Sequence, residues 1–275
     1  MLIIDANCLG CIAKFSLPKL SHEDLPTAVP FGFLTALLRL WDRFGDREMV
    51  FCWDSRKSLR KRRHSWYKTR PRKPEEQREW ELTYLAFDNL RRDLLPMLGL
   101  KNQIRQTGYE ADDLLAELAR IYRDKAIIVT TDADLYQTLK RSRMYNPKTR
   151  KLLDREWLSL KHRVSPLNWM WVKAIAGCST DTVPGVQGVG IKTAVKWINR
   201  GIADKWTKRF HDIYNQWDEV VLRNKWLVEL PLEGTKVPEI QPNEMNWQGF
   251  LDLCEAFGFE SFLAERHRWE EFFGV

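Results

Sequence analysis

Gly108-Tyr109-Glu110-Ala111-Asp112-Asp113 opens the stretch on which the reading of this chain turns, and Ala126-Ile127-Ile128-Val129-Thr130-Thr131-Asp132-Ala133-Asp134 closes it. Between them Leu114, Leu115, Leu118, Ile121 and Tyr122 recur at helical spacing, which predicts a helix starting at the acidic cluster. The run Ala126 to Val129 is short, largely β-branched and uninterrupted, the pattern of a buried parallel strand. Asp132 and Asp134 then fall just past the carboxyl end of that strand, where open α/β sheets place their ligands. Five carboxylates bracket one helix-to-strand unit. Either group alone is explained by favourable first-turn acids or a capped turn. Both in one crevice are unfavourable unless cations neutralise them. Oxygen ligands without a matching histidine or cysteine set suit magnesium or manganese rather than zinc.

Moving outward, two more apolar runs end in acids. Leu2-Ile3-Ile4 runs into Asp5, followed by Ala6-Asn7, and Met49-Val50-Phe51-Cys52-Trp53 runs into Asp54. Acids at the ends of three separate strands are expected to line one edge of a sheet. A helix from about Phe31 to Phe44 presents Phe33, Leu34, Leu37, Leu38 and Trp41 on one face. A longer helix opens at Glu75-Glu76, carries Trp80, Tyr84, Phe87, Leu90 and Leu94 as its apolar face, and ends at Pro96 to Gly99.

Arg56 to Lys73 reads RKSLRKRRHSWYKTRPRK, with ten basic residues in eighteen, no acid, and Trp66 and Tyr67 interleaved. Rings among arginines suit a single-stranded nucleic-acid path, because rings stack on bases while cations track phosphates. Arg60, Arg63 and Tyr67 are expected to touch such a strand. Met144-Tyr145-Asn146 and Lys151-Leu152-Leu153 read as a small hairpin around Pro147-Lys148, and Leu167 to Ala176 as a helix with Trp169, Val172, Ile175 and Ala176 inward. The glycines of Pro184-Gly185-Val186-Gln187-Gly188-Val189-Gly190-Ile191-Lys192-Thr193-Ala194 precede a helix, so backbone amides can approach a phosphate there. No phosphate-loop or dinucleotide fingerprint is present. From about Lys205 the chain is rich in tryptophan (Trp206, Trp217, Trp226, Trp247, Trp269), and Phe250, Leu251, Leu253, Phe257 and Phe259 predict further helical packing.

The 275 residues allow one large domain or two small ones, and 44% apolar with 29% charged content describes an ordinary globular protein. No stretch is long and apolar enough to span a membrane, and the N-terminus is too short and acidic for a signal peptide. The five cysteines (Cys8, Cys11, Cys52, Cys178, Cys254) form no framework, which predicts free thiols in a reducing interior, with Cys8 and Cys11 as buried small apolar residues. A net charge of +7 around concentrated acids suggests a polyanion held by cations, with metals at the reacting phosphate.

Taken in order, Asp5 with Asn7, Asp54, Tyr67-Lys68 with Arg70, Gly108 to Asp113, Thr131-Asp132-Ala133-Asp134-Leu135 and Val183-Pro184-Gly185 to Ala194 resemble the 5′ nuclease family. That family includes phage-type flap endonucleases and exonucleases and the 5′ nuclease domain of bacterial DNA polymerase I. The resemblance covers roughly residues 2 to 200. It implies an α/β fold with a central mostly parallel sheet flanked by helices (a PIN-like nuclease core), a helical arch and a helix–three-turn–helix region. It implies a nuclease core over 1–165, with the basic arch at about 55–95, and a helical DNA-binding region over 166–275.

The same resemblance implies a 5′→3′ exonuclease and 5′-flap endonuclease hydrolysing DNA. Asp5, Asp54, Glu110, Asp112, Asp113, Asp132, Asp134 and Asp181 would hold two divalent ions, Mg2+ or Mn2+. Lys68 and Arg70 would contact the scissile phosphate and threaded strand. Gly185, Gly188, Gly190, Lys192 and Thr193 would grip the duplex, with a K+ ion at main-chain carbonyls. The expected partner is DNA with 5′ flaps, ends or branches, bound by a monomer in a bacterial or phage-infected cytoplasm.

Two departures stand out. Where the family has Gly-Asp-x-x-Asp, Cys178 takes the first aspartate position and Asp181 alone remains. The spacing from Lys68 to Arg70 is one residue short. The first departure opens an alternative, a branched-DNA-binding protein with weak or lost catalysis. A ribonuclease of the related small-nuclease fold is a second rival, disfavoured by the Gly185 to Lys192 segment.

Overall fold

The strands Leu2–Asp5 and Met49–Cys52 are buried at every residue, as uninterrupted apolar runs should be when both faces of a sheet are covered. They belong to a computed structural model that describes residues 1–17, 20–23, 25–200 and 207–275. Trp206, with the expected start of the tryptophan-rich tail near Lys205, lies outside the described residues. The chain forms two compact units, each built from more than one stretch. The first takes Met1–Trp53, Arg72–Arg105 and Pro238–Val275, the second Asp54–Pro71 and Gln106–Val237.

In the first unit Leu2–Asp5 pairs parallel with Met49–Cys52, Asp5 opposite Cys52, and Met49–Cys52 pairs parallel with Gln103–Ile104. Helices Ala6–Ser16, Ala28–Phe44 and Pro74–Asn89 accompany them. Phe33, Leu34, Leu37 and Leu38 are buried as expected, but Leu40 rather than Trp41 completes the face. The long helix keeps its expected apolar face only in its second half and the π turn Leu90–Leu94 that continues it. Phe87, Leu90 and Leu94 are buried, whereas Tyr84 is exposed and Trp80 carries Lys14 and Arg72 over its ring at 4.5 and 4.8 Å. Cys8 and Cys11 are half-buried, not buried as expected, because the inward face of their helix is taken by Ala6, Leu9, Gly10 and Ala13. Late in the chain, Gln241 exchanges two hydrogen bonds with Asn102 (2.8 and 3.0 Å) beside the short strand Gln103–Ile104. The helices that follow pack by aromatic contact, Phe250 lying 4.6 Å from Trp269.

The second unit contains the helix Ala111–Tyr122 and the strand Ile127–Val129, as the opening stretch predicts. That strand pairs parallel with Arg143–Asn146, which turns back into Lys151–Leu153 as the expected antiparallel hairpin. Strand pairing is therefore mostly parallel, with helices flanking it. Leu114, Leu118, Ile128, Leu135, Trp169, Val172 and Ile175 form the core, while Ile121 is exposed and Ala176 half-buried.

Helix Pro166–Ala176 leads into a two-stranded ribbon, Gly177–Cys178 against Val183–Pro184, and helix Ile191–Arg200 follows. The ribbon depends on two glycines. A Cβ on Gly185 would stand 2.3 Å from the Ala176 carbonyl carbon, and one on Gly177 (φ +75°) 2.4 Å from Gly185 N. Gly185 thus serves close backbone packing, whereas nothing lies within 4 Å of a Cβ on Gly188 or Gly190. No helix among the described residues is long and apolar enough to cross a membrane.

Candidate metal centre and its cationic partners

The acids of the second unit are placed by secondary-structure ends. Glu110 and Asp113 stand at the start of helix Ala111–Tyr122, and Glu110 N donates to Asp113 Oδ2 at 3.0 Å. Asp54 Oδ1 accepts from Ala111 N at 2.8 Å, which fixes the acid after the strand Met49–Cys52 to the same helix start. Asp132 caps the 3-10 helix Ala133–Lys140 by accepting from Asp134 N at 2.8 Å. Asp181 ends the short turn Ser179–Asp181 inside the ribbon. In the first unit, Asp5 is buried and its Oδ1 accepts from Cys8 N at 2.9 Å.

Four of the acids, Glu110, Asp113, Asp134 and Asp181, are answered by cations. Lys68 Nζ lies 2.9 Å from Glu110 Oε2 and 3.8 Å from Asp181 Oδ1. Lys173 Nζ lies 2.7 Å from Asp134 Oδ1. Arg60, only 1% exposed, forks onto both oxygens of Asp113 at 2.7 and 2.8 Å and donates to the Leu227 and Glu229 carbonyls. Asp113 Oδ1 also accepts from Leu232 N at 2.9 Å. Both its oxygens are therefore occupied by protein donors, and the expectation of Asp113 as a metal ligand gives way to a structural role. Arg60 is likewise corrected from a strand-binding cation to a buried partner of Asp113. Tyr67 is 2% exposed with its hydroxyl donating to Glu110 Oε2 at 3.0 Å, so its ring does not present a stacking face to a strand.

Electrostatic consequences follow the crowding. Burial alone would raise Glu110, but Lys68 and Arg60 hold it below the usual carboxylate range. Burial pushes Asp181 up to about 6, with Asp134, Asp132 and Glu110 adding to the rise against the opposing pull of Lys68. Loss of water also raises Asp134, with Asp132 beside it. The protein atoms around the Asp54 carboxyl raise it in turn, although the residue keeps a solvent-facing edge. Lys68 and Lys173 are held above the usual lysine range because their acids outweigh the effect of burial.

Asp134, Cys178 and Asp181 bring one ligand atom each within 4.8 Å of one another. The Cys178 thiol is pushed up by burial and by both acids, and its Sγ lies 2.8 Å from Thr180 Oγ1. Two carboxyls this close, Asp134 and Asp181, both held above their ordinary range, are what a divalent cation relieves, so the oxygen donors fit such an ion. The thiol fits a hard ion poorly.

The basic segment is docked against this turn. Lys68 N donates to Asp181 O at 3.0 Å, Thr182 Oγ1 to Trp66 O at 2.7 Å, and Arg70 to Thr180 O. Lys68 and Thr182 both have left-handed backbone (φ +50° and +56°), a conformation that these mutual bonds hold in place. Arg63, Gly188, Gly190 and Lys192 face solvent and Thr193 is half-buried. Lys173 and Ser58, which donates to Glu110 Oε1 at 3.0 Å, are the members that sequence reasoning missed. A lone lysine in an apolar helix ending at the Gly177-Cys178 turn was the available signal for the first.

Strand ends carrying acids, an acid-headed helix and a glycine-dependent ribbon define an α/β protein built to concentrate carboxylates among cations. The chain belongs to the 5′-3′ exonuclease family, its residues 1–163 matching the N-terminal resolvase-like domain. It is 28% identical over 286 residues to the thermostable DNA polymerase I of Thermus aquaticus, covering 96% of this chain and 33% of that one. It is 28% identical over 204 residues to the 5′-3′ exonuclease of Aquifex aeolicus, 72% of this chain and 68% of that protein. The chain thus spans about a third or less of the DNA polymerases it matches. Its fold is similar to that of the T5 D15 protein crystallised with metal ions (TM-score 0.70, 20% identity, 84% of this chain and 89% of that one).

Proposed function

We propose that the chain is a divalent-metal-dependent 5′→3′ exonuclease and 5′-flap endonuclease acting on DNA. The observation that carries the reading is the linked series Glu110, Lys68, Asp181, Cys178 and Asp134, five chemically active groups from four separate segments. The names of the relatives support the reaction class: a 5′-3′ exonuclease, and DNA polymerases I. Asp54, Glu110, Asp112, Asp132, Asp134 and Asp181 are the proposed ligands of Mg2+ or Mn2+. For Asp5, in the first unit, the case rests on the sequence resemblance. Two such ions, when bound, would supply Lewis-acid polarisation of the scissile phosphate and a more acidic water.

The remaining steps belong to the protein. Lys68, an ammonium paired with Glu110 and Asp181, would offset charge that develops on the phosphate. Arg70, bonded to Thr180 O, would hold the strand beside it. Gly188, Gly190, Lys192 and Thr193 would grip the phosphodiester backbone without reading sequence, the K+ ion at main-chain carbonyls being part of the same proposal. Asp113 and Arg60 orient the helix start that carries Glu110 and Asp112.

Cys178 supports a second reading, branched-DNA binding with weak turnover, because a raised thiol stands where the family carries a carboxylate. One experiment tests both: a labelled 5′-flap duplex incubated with the chain, with and without Mg2+. Metal-dependent release of the flap is expected. Tight binding with no cleavage would favour the second reading, and neither binding nor cleavage would remove both.

A further inference from the structure

Three cations beside the candidate centre are spoken for: Arg60 by Asp113, Lys68 by Glu110 and Asp181, Lys173 by Asp134. Arg63 and Arg223 differ. Neither has a carboxylate partner among the described residues, and each lies instead over an indole, Arg63 at 4.4 Å from the Trp226 ring and Arg223 at 5.5 Å from the Trp66 ring. His64 stands between the two indoles, 5.3 Å from Trp66 and 6.0 Å from Trp226. The result is a five-membered ladder, Arg63, Trp226, His64, Trp66 and Arg223, assembled from segments about 160 residues apart and left half-buried to exposed.

We propose that this ladder is a binding site for unpaired bases of single-stranded DNA, with its two arginines taking the adjoining phosphates. The proposal rests on the nuclease reading and deepens it by naming where the unpaired strand lies. Three observations carry it. Each indole is backed by one guanidinium group, and an indole is a ring on which a base stacks, any base serving because each has a π face. The two arginines have no acid to neutralise them, so the ladder carries uncompensated positive charge. It is also anchored beside the candidate centre, since Thr182 Oγ1 donates to Trp66 O at 2.7 Å and Arg223 reaches Pro184 O at 3.4 Å. Duplex bases have their faces covered by stacking, so the ladder discriminates in favour of the unpaired strand. Tyr67, the other ring of the basic run, is buried against Glu110 and takes no part.

The test uses the full chain in EDTA, which prevents cleavage, with fluorescently labelled oligothymidine and a blunt duplex of equal length. Trp66→Ala and Trp226→Ala should each weaken oligothymidine binding about 10-fold while duplex binding stays within about 2-fold of wild type. Trp226→Phe, which keeps an aromatic face, should recover most of the loss, and unchanged thermal melting would confirm folding. Single-strand affinity unchanged in both alanine variants, or lost equally for duplex and single strand, would overturn the ladder and leave the nuclease reading standing. Failure of the wild type to bind either DNA would remove both.

Discussion

Lys68 Nζ lies 2.9 Å from Glu110 Oε2 and 3.8 Å from Asp181 Oδ1, so one ammonium joins the head of an α-helix to a turn 71 residues further along the chain. Two carboxylates on one cation is an arrangement with a function in both directions. It lowers the repulsion among acids, and in the proposed reaction it would keep a positive charge beside the scissile phosphate. Lys68→Ala should therefore cut flap cleavage by about 10²- to 10³-fold, with Lys68→Arg recovering part of it. Single-turnover cleavage of a labelled flap measures this, and a loss below 3-fold would remove Lys68 from the chemistry.

Asp181 gives the pH dependence its sign. Its folded-state pKa, about 6, lies above the ordinary 3.8, so its contribution to stability is full below pH 4 and is lost as pH rises through 6. At pH 7 the charged, crowded form costs up to about 3 kcal/mol. Asp181→Asn should then melt higher than wild type at pH 7 in EDTA, the difference vanishing near pH 4. Cleavage should show the opposite trend, rising with pH through about 6, because only the ionised carboxylate holds a divalent ion. Equal melting of the two proteins at pH 7 would contradict the crowding.

Arg60 and Asp113 form a closed system of donors and acceptors, in contrast to the open acids around them. Removing one partner leaves the other charge buried, so Arg60→Ala and Asp113→Ala should each cost about 3–5 kcal/mol in urea unfolding. The loss includes the grip on residues 227–232, whose backbone is bonded by Arg60, by Asp113 and by Gln137, which takes Val228 O and Leu230 N. A change below 1 kcal/mol in either variant would show that the pair is dispensable.

These contacts also mark where sequence reading stopped. Strands ending in Asp5 and Asp54, the acid-headed helix and the 143–153 hairpin were legible because each is a local pattern, a run of one periodicity ended by a change of residue type. Arg60 was not, because nothing in a basic run distinguishes the one arginine whose acceptors lie at Leu227 and Glu229 from those left in solvent. Tyr67 was misjudged for the same reason: a ring beside lysine stacks on bases or buries its hydroxyl on an acid, and only the position of Glu110 decides. Lys173 was hidden among apolar neighbours, its partner Asp134 lying on a different segment.

The ribbon glycines separate packing from binding. Gly185→Ala would drive a Cβ to 2.3 Å from the Ala176 carbonyl, where backbone cannot yield cheaply. It should destabilise by about 1–3 kcal/mol. Gly190→Ala meets open space and should leave melting within about 0.5 kcal/mol of wild type while weakening duplex binding. Comparable destabilisation by both would mean that the segment has no free face for a phosphodiester backbone.

Cys178 offers the sharpest test of the centre, because restoring a carboxylate there makes opposite predictions with and without metal. In Cys178→Asp a third acid would join Asp134 and Asp181, whose ligand atoms already lie within 4.8 Å of the Sγ position. Without metal, added like charge in a buried setting should lower stability by an amount on the order of 1–3 kcal/mol. With millimolar Mg2+ the same group becomes an oxygen ligand, and binding to the folded state alone raises stability by mass action. The variant should therefore melt below wild type in EDTA and gain more from Mg2+ than wild type does, with faster flap cleavage. Melting curves with and without Mg2+ decide the matter independently of activity. A variant that loses stability in EDTA and recovers none of it with Mg2+ would show that Asp134 and Asp181 crowd together for a reason other than holding a cation.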